Sequence, residues 1–76
     1  MVNGKEIIRY FSQYSNIPEN NISYESNLYT DLGLTSLDFV TIIYDLEEKY
    51  NININETVFV DVYTIKDVID IFENYS

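Results

Sequence analysis

The sequence predicts an all-α protein, a small four-helix bundle made of three longer helices and one short helix, with a long ordered first loop. Three segments repeat apolar residues with the helical period, and Asn or Thr residues stand where the helices need N-terminal caps. Of the 76 residues, 46% are apolar and 16% are aromatic, which is enough for a packed core. We therefore expect a single domain over residues 1–76.

The first helix is predicted to begin after Asn3, a favoured N-cap residue that makes a capping pair with Glu6. Its apolar stripe has helical spacing and consists of Ile7, Ile8, Phe11 and Tyr14. Asn16 and Pro18 are expected to end it. We expect the long connection over residues 17–34 to be ordered, because its large apolar residues need a core. They are Ile17, Ile22, Leu28, Leu32 and Leu34.

The second helix is predicted to begin at Thr35 or Ser36 and to run to about Tyr50. Its core-facing stripe consists of Phe39, Ile42, Ile43, Leu46 and Tyr50. A second apolar stripe beside it consists of Leu37, Val40 and Tyr44. Acidic residues lie around this second stripe: Asp38, Asp45, Glu47 and Glu48. The pattern favours docking onto a basic-rimmed groove of another protein, although packing on several sides within the bundle would produce it too.

The chain after the second helix is predicted to be extended. YNININ (residues 50–55) alternates apolar and polar residues, but no second convincing strand is available to pair with it. We expect this link to place Ile52 and Ile54 in the core. Asn55 is then expected to cap a short third helix that runs to about Asp61.

The last helix is predicted to begin at Thr64, which forms a capping pair with Asp67. Its buried stripe consists of Ile65, Val68, Ile69 and Phe72. With the three preceding helices it would complete an all-α bundle.

The composition excludes most kinds of chemistry. The chain has no Cys and no His, so it lacks a thiol, the usual base for a serine nucleophile and the most familiar metal ligands. We therefore expect no catalytic residue, no metal site and no enzymatic activity. The net charge of −9 disfavours nucleic acid and favours proteins with basic patches. No 18-residue apolar run or charged-then-apolar leader occurs, so we expect no membrane span and a cytoplasmic, monomeric protein.

Ser36 is either a helix cap or an attachment point. Ser is a favoured N-cap residue, which supports the first interpretation. Thr35, with Asp38 three residues later, is already a candidate for that role. Ser36 would then expose its hydroxyl in the first helical turn, where the helix N-terminus stabilises an anion such as a phosphodiester by about 0.3 to 1 kcal/mol.

The segment DLGLTSLDFVTIIYDLEEKYNINI (residues 31–54) closely resembles the centre of acyl carrier proteins. The attachment sequence of that family reads Asp-Leu-Gly-x-Asp-Ser-Leu and is followed by a helix that ends in Leu-Glu-Glu. The resemblance extends over nearly the whole chain, as an acyl-carrier-like domain. It implies that a phosphopantetheinyl transferase attaches 4′-phosphopantetheine from coenzyme A to Ser36, and that the terminal thiol of this arm carries acyl groups as thioesters.

The resemblance also implies roles for other residues. The partner-binding surface would consist of Thr35, Leu37, Asp38, Val40, Tyr44, Glu47 and Glu48. A space between helices that shelters the acyl chain would be lined by Leu28, Phe39, Leu46, Ile54, Phe59 and Val62. Gly33 would allow a tight approach into the helix, where a Cβ would crowd the chain.

The chain departs from the family pattern at three positions of the partner-binding surface and its surroundings. Thr35 replaces the usual Asp, Thr41 replaces a common acid, and Tyr44 replaces a smaller or unbranched apolar residue. The surface therefore has less charge near Ser36 and gains an aromatic ring. The bulky Phe39 and Phe59 also lead us to expect that long acyl chains are sheltered poorly.

Three functions follow as hypotheses. The first is a carrier of acyl intermediates in fatty-acid or related biosynthesis, which meets acyl-transferring and condensing enzymes through their basic patches. The second is a carrier dedicated to a specialised polyketide, lipid or aminoacyl pathway. The third is an unmodified acidic adaptor that docks its second helix into partners and uses Ser36 only structurally.

Overall fold

Three α-helices pack around a single core: α1 (Gly4–Ser15), α2 (Ser36–Tyr50) and α3 (Ile65–Asn74). The structure is a computed structural model and describes residues 2–75. Two 3₁₀ turns lie in the connections, at Glu19–Asn21 and Glu56–Phe59. No strand occurs within residues 2–75, where β-type pairing is limited to an isolated bridge between Asn27 and Thr64. The predicted all-α class is confirmed.

The short third helix expected from Asn55 to about Asp61 is a single 3₁₀ turn over Glu56–Phe59. Asn55 does cap it, since its side chain accepts from the backbone N–H of Thr57 at 3.0 Å. The turn contains the β-branched Thr57 and Val58, and a third β-branched residue, Val60, follows it. β-branched residues favour a helix slightly less, but α2 contains four in succession (residues 40–43), so propensity alone does not end the turn. The buried Ile54 and Val62 hold the chain on either side of it and limit its length. The described chain is therefore a three-helix domain with 3₁₀ turns, and the four-helix bundle is not confirmed.

The helix ends follow the predicted caps, with one difference at α1. Asn3 is the N-cap, and its side chain accepts from the Lys5 backbone N–H at 2.9 Å. The predicted pairing of Asn3 with Glu6 was wrong, because Glu6 accepts instead from the Tyr50 phenol at 3.0 Å. At the other end, Asn16 adopts a left-handed conformation with φ 62°, which stops α1 one residue before it.

The core contains most of the predicted helical stripes and most of the apolar residues of the first loop. Tyr14 of the first predicted stripe is 40% exposed instead, because its hydroxyl donates to Asp38 at the surface. The residues with no solvent exposure are Ile7, Phe11, Leu28, Ile42, Leu46, Ile65, Val68 and Phe72. Ile22, Leu32 and Leu34 are also buried, so the predicted order of the 17–34 connection is confirmed. The extended link after α2 buries Ile54 and packs the half-buried Ile52 against the core. Between residues 2 and 75, no helix has the length and apolar character needed to cross a membrane.

Candidate functional site

The start of α2 is fixed by a reciprocal capping box between Thr35 and Asp38. The backbone N–H of Asp38 donates to Thr35 Oγ1 at 3.1 Å, and the backbone N–H of Thr35 donates to Asp38 Oδ2 at 2.9 Å. The second bond is the chief reason that the pKa of the Asp38 carboxyl lies below its ordinary value, because the Thr35 N–H stabilises the charged carboxylate. Ser36 is therefore not the cap. It is the first residue of α2, and it is exposed.

The loop that leads into this helix turns at Gly33, whose φ is 70°. A Cβ built at Gly33 would meet nothing within 4 Å, so the expectation that a side chain would crowd the chain was wrong. The position favours glycine because its backbone is left-handed, which strains residues that carry a Cβ. The buried Leu32 and Leu34 anchor the loop on either side of this turn. Ser36 is thus held at a defined place by a turn, two anchors and a cap.

An open groove of about 410 Å³ lies between α2 and the 3₁₀ turn at Glu56–Phe59, and Ser36 is part of its lining. Aromatic rings form much of its wall. Phe39 and Phe59 meet edge to face with centroids 5.9 Å apart, and Tyr29 lies 6.4 Å from Phe39. Val40, Ile43 and Ile54 add aliphatic surface. The groove can therefore accept an apolar group attached close to Ser36.

Three of the six residues predicted to line an acyl space border this groove: Phe39, Ile54 and Phe59. The other three do not line it. Leu28 and Leu46 have no exposed surface, and Val62 is 5% exposed, so these side chains belong to the packed core. The structure thus brings half of the predicted set together beside Ser36.

The second apolar stripe of α2 is exposed beside the groove. Leu37 is 75% exposed, Tyr44 is 61% exposed and Val40 is 43% exposed. Val60, across the groove, is 70% exposed. These four residues form the apolar rim, an unusual concentration of exposed apolar side chains on a small domain.

The acidic residues near this rim differ in their burial and in the hydrogen bonds that they accept within the domain. Asp38 is half-buried and belongs to the capping box. Glu47 is half-buried, and its Oε2 accepts from the Ile54 backbone N–H at 2.7 Å. Glu48 is exposed. Of these three predicted contacts for basic partners, Glu48 is therefore the one that faces solvent most fully.

Sequence reasoning missed several residues of the groove and rim. Tyr29, Ile43, Glu56, Thr57 and Val60 line the groove. The segment from residue 56 to 60 was expected to form a short helix. That expectation did not indicate that the segment forms one wall of the groove beside Ser36. The apolar run from Val58 to Val60 was the available signal. Within residues 2–75, no cluster of three or more His, Cys, Asp or Glu side chains could hold a metal ion.

Comparison with known proteins gives a consistent result. A family model described as "Phosphopantetheine attachment site" matches residues 5–72. The chain is 32% identical over 71 residues to an acyl carrier protein of Buchnera aphidicola subsp. Baizongia pistaciae, covering 93% of this chain and 91% of that protein. It is 32% identical over 65 residues to an acyl carrier protein homolog of Mycoplasmopsis pulmonis, covering 86% and 88%. An acyl carrier protein of Coprothermobacter proteolyticus is 34% identical over 58 residues, covering 76% and 71%.

Proposed function

This chain belongs to the acyl carrier protein family, and we propose that Ser36 is the residue that receives its 4′-phosphopantetheine. The family consists of non-catalytic carriers that a phosphopantetheinyl transferase modifies. Ser36 lies within the matched span, and its hydroxyl is exposed because Thr35 supplies the helix cap. That exposure beside an apolar groove is the observation that carries the proposal.

The surroundings of Ser36 suit a phosphodiester. Ser36 opens a helix of 15 residues, and the backbone N–H groups and macrodipole at a helix N-terminus stabilise a negative charge. In the transfer, Ser36 Oγ would bond to the phosphorus of coenzyme A that bears the pantetheine, adenosine bisphosphate would leave, and the hydroxyl proton would pass to the transferase. The bound arm supplies a terminal thiol that can carry an acyl group as a thioester, which this chain, without Cys, does not provide itself.

The apolar rim supports docking onto partner enzymes. An apolar socket of the partner enzyme would receive Leu37, Val40 and Tyr44. The exposed Glu48 would face a basic residue of the same partner. Thr35, Asp38 and Glu47 would act mainly by holding the shape of this surface, since each makes a hydrogen bond within the domain. The partners would be the transferase and acyl-transferring or condensing enzymes with basic docking patches.

The groove supports transient shelter of a short acyl group. Its volume of about 410 Å³ lies near the lower end of ligand pockets, and the edge-to-face pair of Phe39 and Phe59 occupies its wall. Leu28, Leu46 and Val62 are already packed in the core, so a deeper space would require these side chains to move. Long acyl chains would therefore extend beyond the shelter of the groove.

The names of the related proteins describe carriers of acyl groups, and we propose fatty-acid or related biosynthesis in the cytoplasm as the setting of this chain. The aromatic Tyr44 and the uncharged Thr35 and Thr41 favour a narrower set of partners, as in a carrier dedicated to a specialised pathway. A panel of condensing enzymes, supplied with the same acylated protein, would separate these two alternatives.

The attachment proposal is tested by intact-mass spectrometry before and after incubation with a broad-specificity phosphopantetheinyl transferase and coenzyme A. We expect the mass of one phosphopantetheinyl group to be added to the wild type and none to Ser36→Ala. Ser23→Ala, a change of another exposed serine, is the matched control and should be modified normally. A wild type that stays unmodified while a control carrier is modified would contradict the proposal and favour an unmodified adaptor.

A further inference from the structure

Tyrosine hydroxyls join α1 and α2 by donating to carboxylates. Tyr14 donates to Asp38 at 3.2 Å, and Tyr10 donates to Asp45 two turns further along α2. The two donors lie four residues apart on α1 and therefore on the same face of that helix. They make the same type of bond to the same neighbouring helix, but only one of them reaches the turn that contains Ser36.

Asp38 connects Tyr14 to the capping box. Its Oδ1 accepts from the Tyr14 phenol, and its Oδ2 accepts from the Thr35 backbone N–H at 2.9 Å. The Asp38 backbone N–H donates in turn to Thr35 Oγ1 at 3.1 Å. Because an aspartate can rotate about its side-chain bonds, a hydrogen-bond donor to Oδ1 restricts where Oδ2 can lie. Tyr14 therefore stabilises the geometry in which Asp38 closes the cap.

Tyr14 meets α2 at Asp38 and not at the groove beside Ser36. Residues two positions apart in a helix do not share a face, so Asp38 and Ser36 point in different directions. Ser36 borders the groove, whereas Asp38 meets α1. On α1, the nearby Phe11 has no solvent exposure, so the helix that carries Tyr14 is anchored in the core. The phenol can thus support the first turn without occupying the groove beside Ser36.

We propose that Tyr14 is a positioning residue for the modification of Ser36, acting through Asp38 on the first turn of α2. This inference rests on the proposed attachment at Ser36. Transfer to a hydroxyl requires that its oxygen lie in line with the reacting phosphorus. If the first turn of α2 changed conformation often, fewer encounters with the transferase would place the Ser36 oxygen in that position. Tyr14 contributes by keeping that turn in one arrangement before the transferase binds.

The test compares Tyr14→Phe with Tyr10→Phe, since each removes one phenol donor to a carboxylate of α2. We expect Tyr14→Phe to lower kcat/KM for phosphopantetheine transfer by about threefold to tenfold, as the loss of one such hydrogen bond allows. Tyr10→Phe should stay within about twofold of the wild type while losing a similar amount of thermal stability. Equal effects of the two variants on transfer would overturn the role of Tyr14.

Two further measurements separate positioning from general destabilisation. Amide hydrogen exchange at Thr35 and Asp38, measured by NMR on the unmodified protein, should become faster in Tyr14→Phe and stay unchanged in Tyr10→Phe. In an Asp38→Asn background, Tyr14→Phe should slow transfer much less than it does in the wild type. Unchanged exchange, or fully additive effects, would overturn the inference. A wild type that accepts no phosphopantetheine would instead overturn the proposed function.

Discussion

Two helices of this protein begin with the same capping box, but they differ in whether the first helical residue is exposed or buried. TSLD (residues 35–38) opens α2, and TIKD (residues 64–67) opens α3. Both form a complete capping box, with bonds of 2.9 and 3.1 Å in α2 and 3.1 and 3.2 Å in α3. The first helical residue is the exposed Ser36 in one case and Ile65, with no exposed surface, in the other.

The surroundings of the two caps explain this difference. Ile65 is held in the core, and its backbone N–H donates to the Ser26 carbonyl at 3.1 Å. Asp67 Oδ2 accepts from the backbone N–H groups of both Tyr63 and Thr64. The start of α3 is thus fixed by burial and by its own loop. At the start of α2, polar bonds to Thr35 and Tyr14 hold Asp38, which leaves the first side chain available for chemistry.

Gly33→Ala should produce the largest loss of stability. Of the two loops that lead into α2 and α3, only the loop before α2 contains a left-handed residue just before the cap. No residue from 61 to 64 has a positive φ, whereas Gly33 has φ 70°. We expect Gly33→Ala to lower the free energy of unfolding by about 1 to 2 kcal/mol, measured by urea denaturation.

Gly4→Ala is the matched control for that change. Gly4 is the first residue of α1, and an added Cβ would approach the Ile69 side chain at 3.4 Å, an ordinary contact distance. This variant should be as stable as the wild type or slightly more stable, since alanine favours a helix. If Gly33→Ala were equally well tolerated, the left-handed turn would not be what fixes the approach to Ser36.

The two cap threonines should have equal effects on stability and unequal effects on function. Thr35→Ala and Thr64→Ala should each lower the free energy of unfolding by about 1 kcal/mol, as expected for the loss of an N-cap. Only Thr35→Ala should slow the transfer of phosphopantetheine to Ser36, and Thr35→Ser should restore the rate. Equal transfer rates for the two alanine variants would mean that the cap of α2 has no role beyond stability.

The features that the sequence predicted correctly are those with local causes. Thr64 and Asp67 form their capping box because the two residues lie three positions apart, and the same holds for Thr35 and Asp38. The exposed Leu37 follows from helical periodicity in the same way. The exposure of Ser36 also has a local cause, since the neighbouring Thr35 forms the cap; its role as the attachment site stays a prediction.

The features that the sequence did not predict depend on distant contacts. Glu6 accepts from Tyr50, which lies 44 residues away, so the local pairing with Asn3 does not form. The groove is lined both by Tyr29 of the first loop and by Val60 after α2, an arrangement that no short pattern encodes. Asn55 gave a correct cap signal, but a cap marks where a helix begins and does not determine how far it extends.

Low pH should destabilise the two capping boxes to different extents. The expected change in the free energy of unfolding is smaller than for the substitutions above. The pKa values of Asp38 and Asp67 lie below their ordinary value, chiefly because the backbone N–H groups of Thr35 and Tyr63 donate to them. A carboxylate whose pKa is lowered by folding contributes stability above its unfolded pKa and loses it as the pH falls through the folded pKa. The free energy of unfolding should therefore decrease as the pH falls below about 4.

Asp67→Asn should flatten this decrease more than Asp38→Asn, because Asp67 accepts from two backbone N–H groups, whereas Asp38 accepts from one backbone N–H group and, at the longer distance of 3.2 Å, from the Tyr14 phenol. Urea denaturation at a series of pH values from 5 to 2 would measure the slopes. Asp61→Asn removes the same charge from an exposed position and serves as the control for net charge. Identical slopes for Asp67→Asn and Asp61→Asn would show that acid acts through overall repulsion. A clear difference would assign the loss to the capping box of α3.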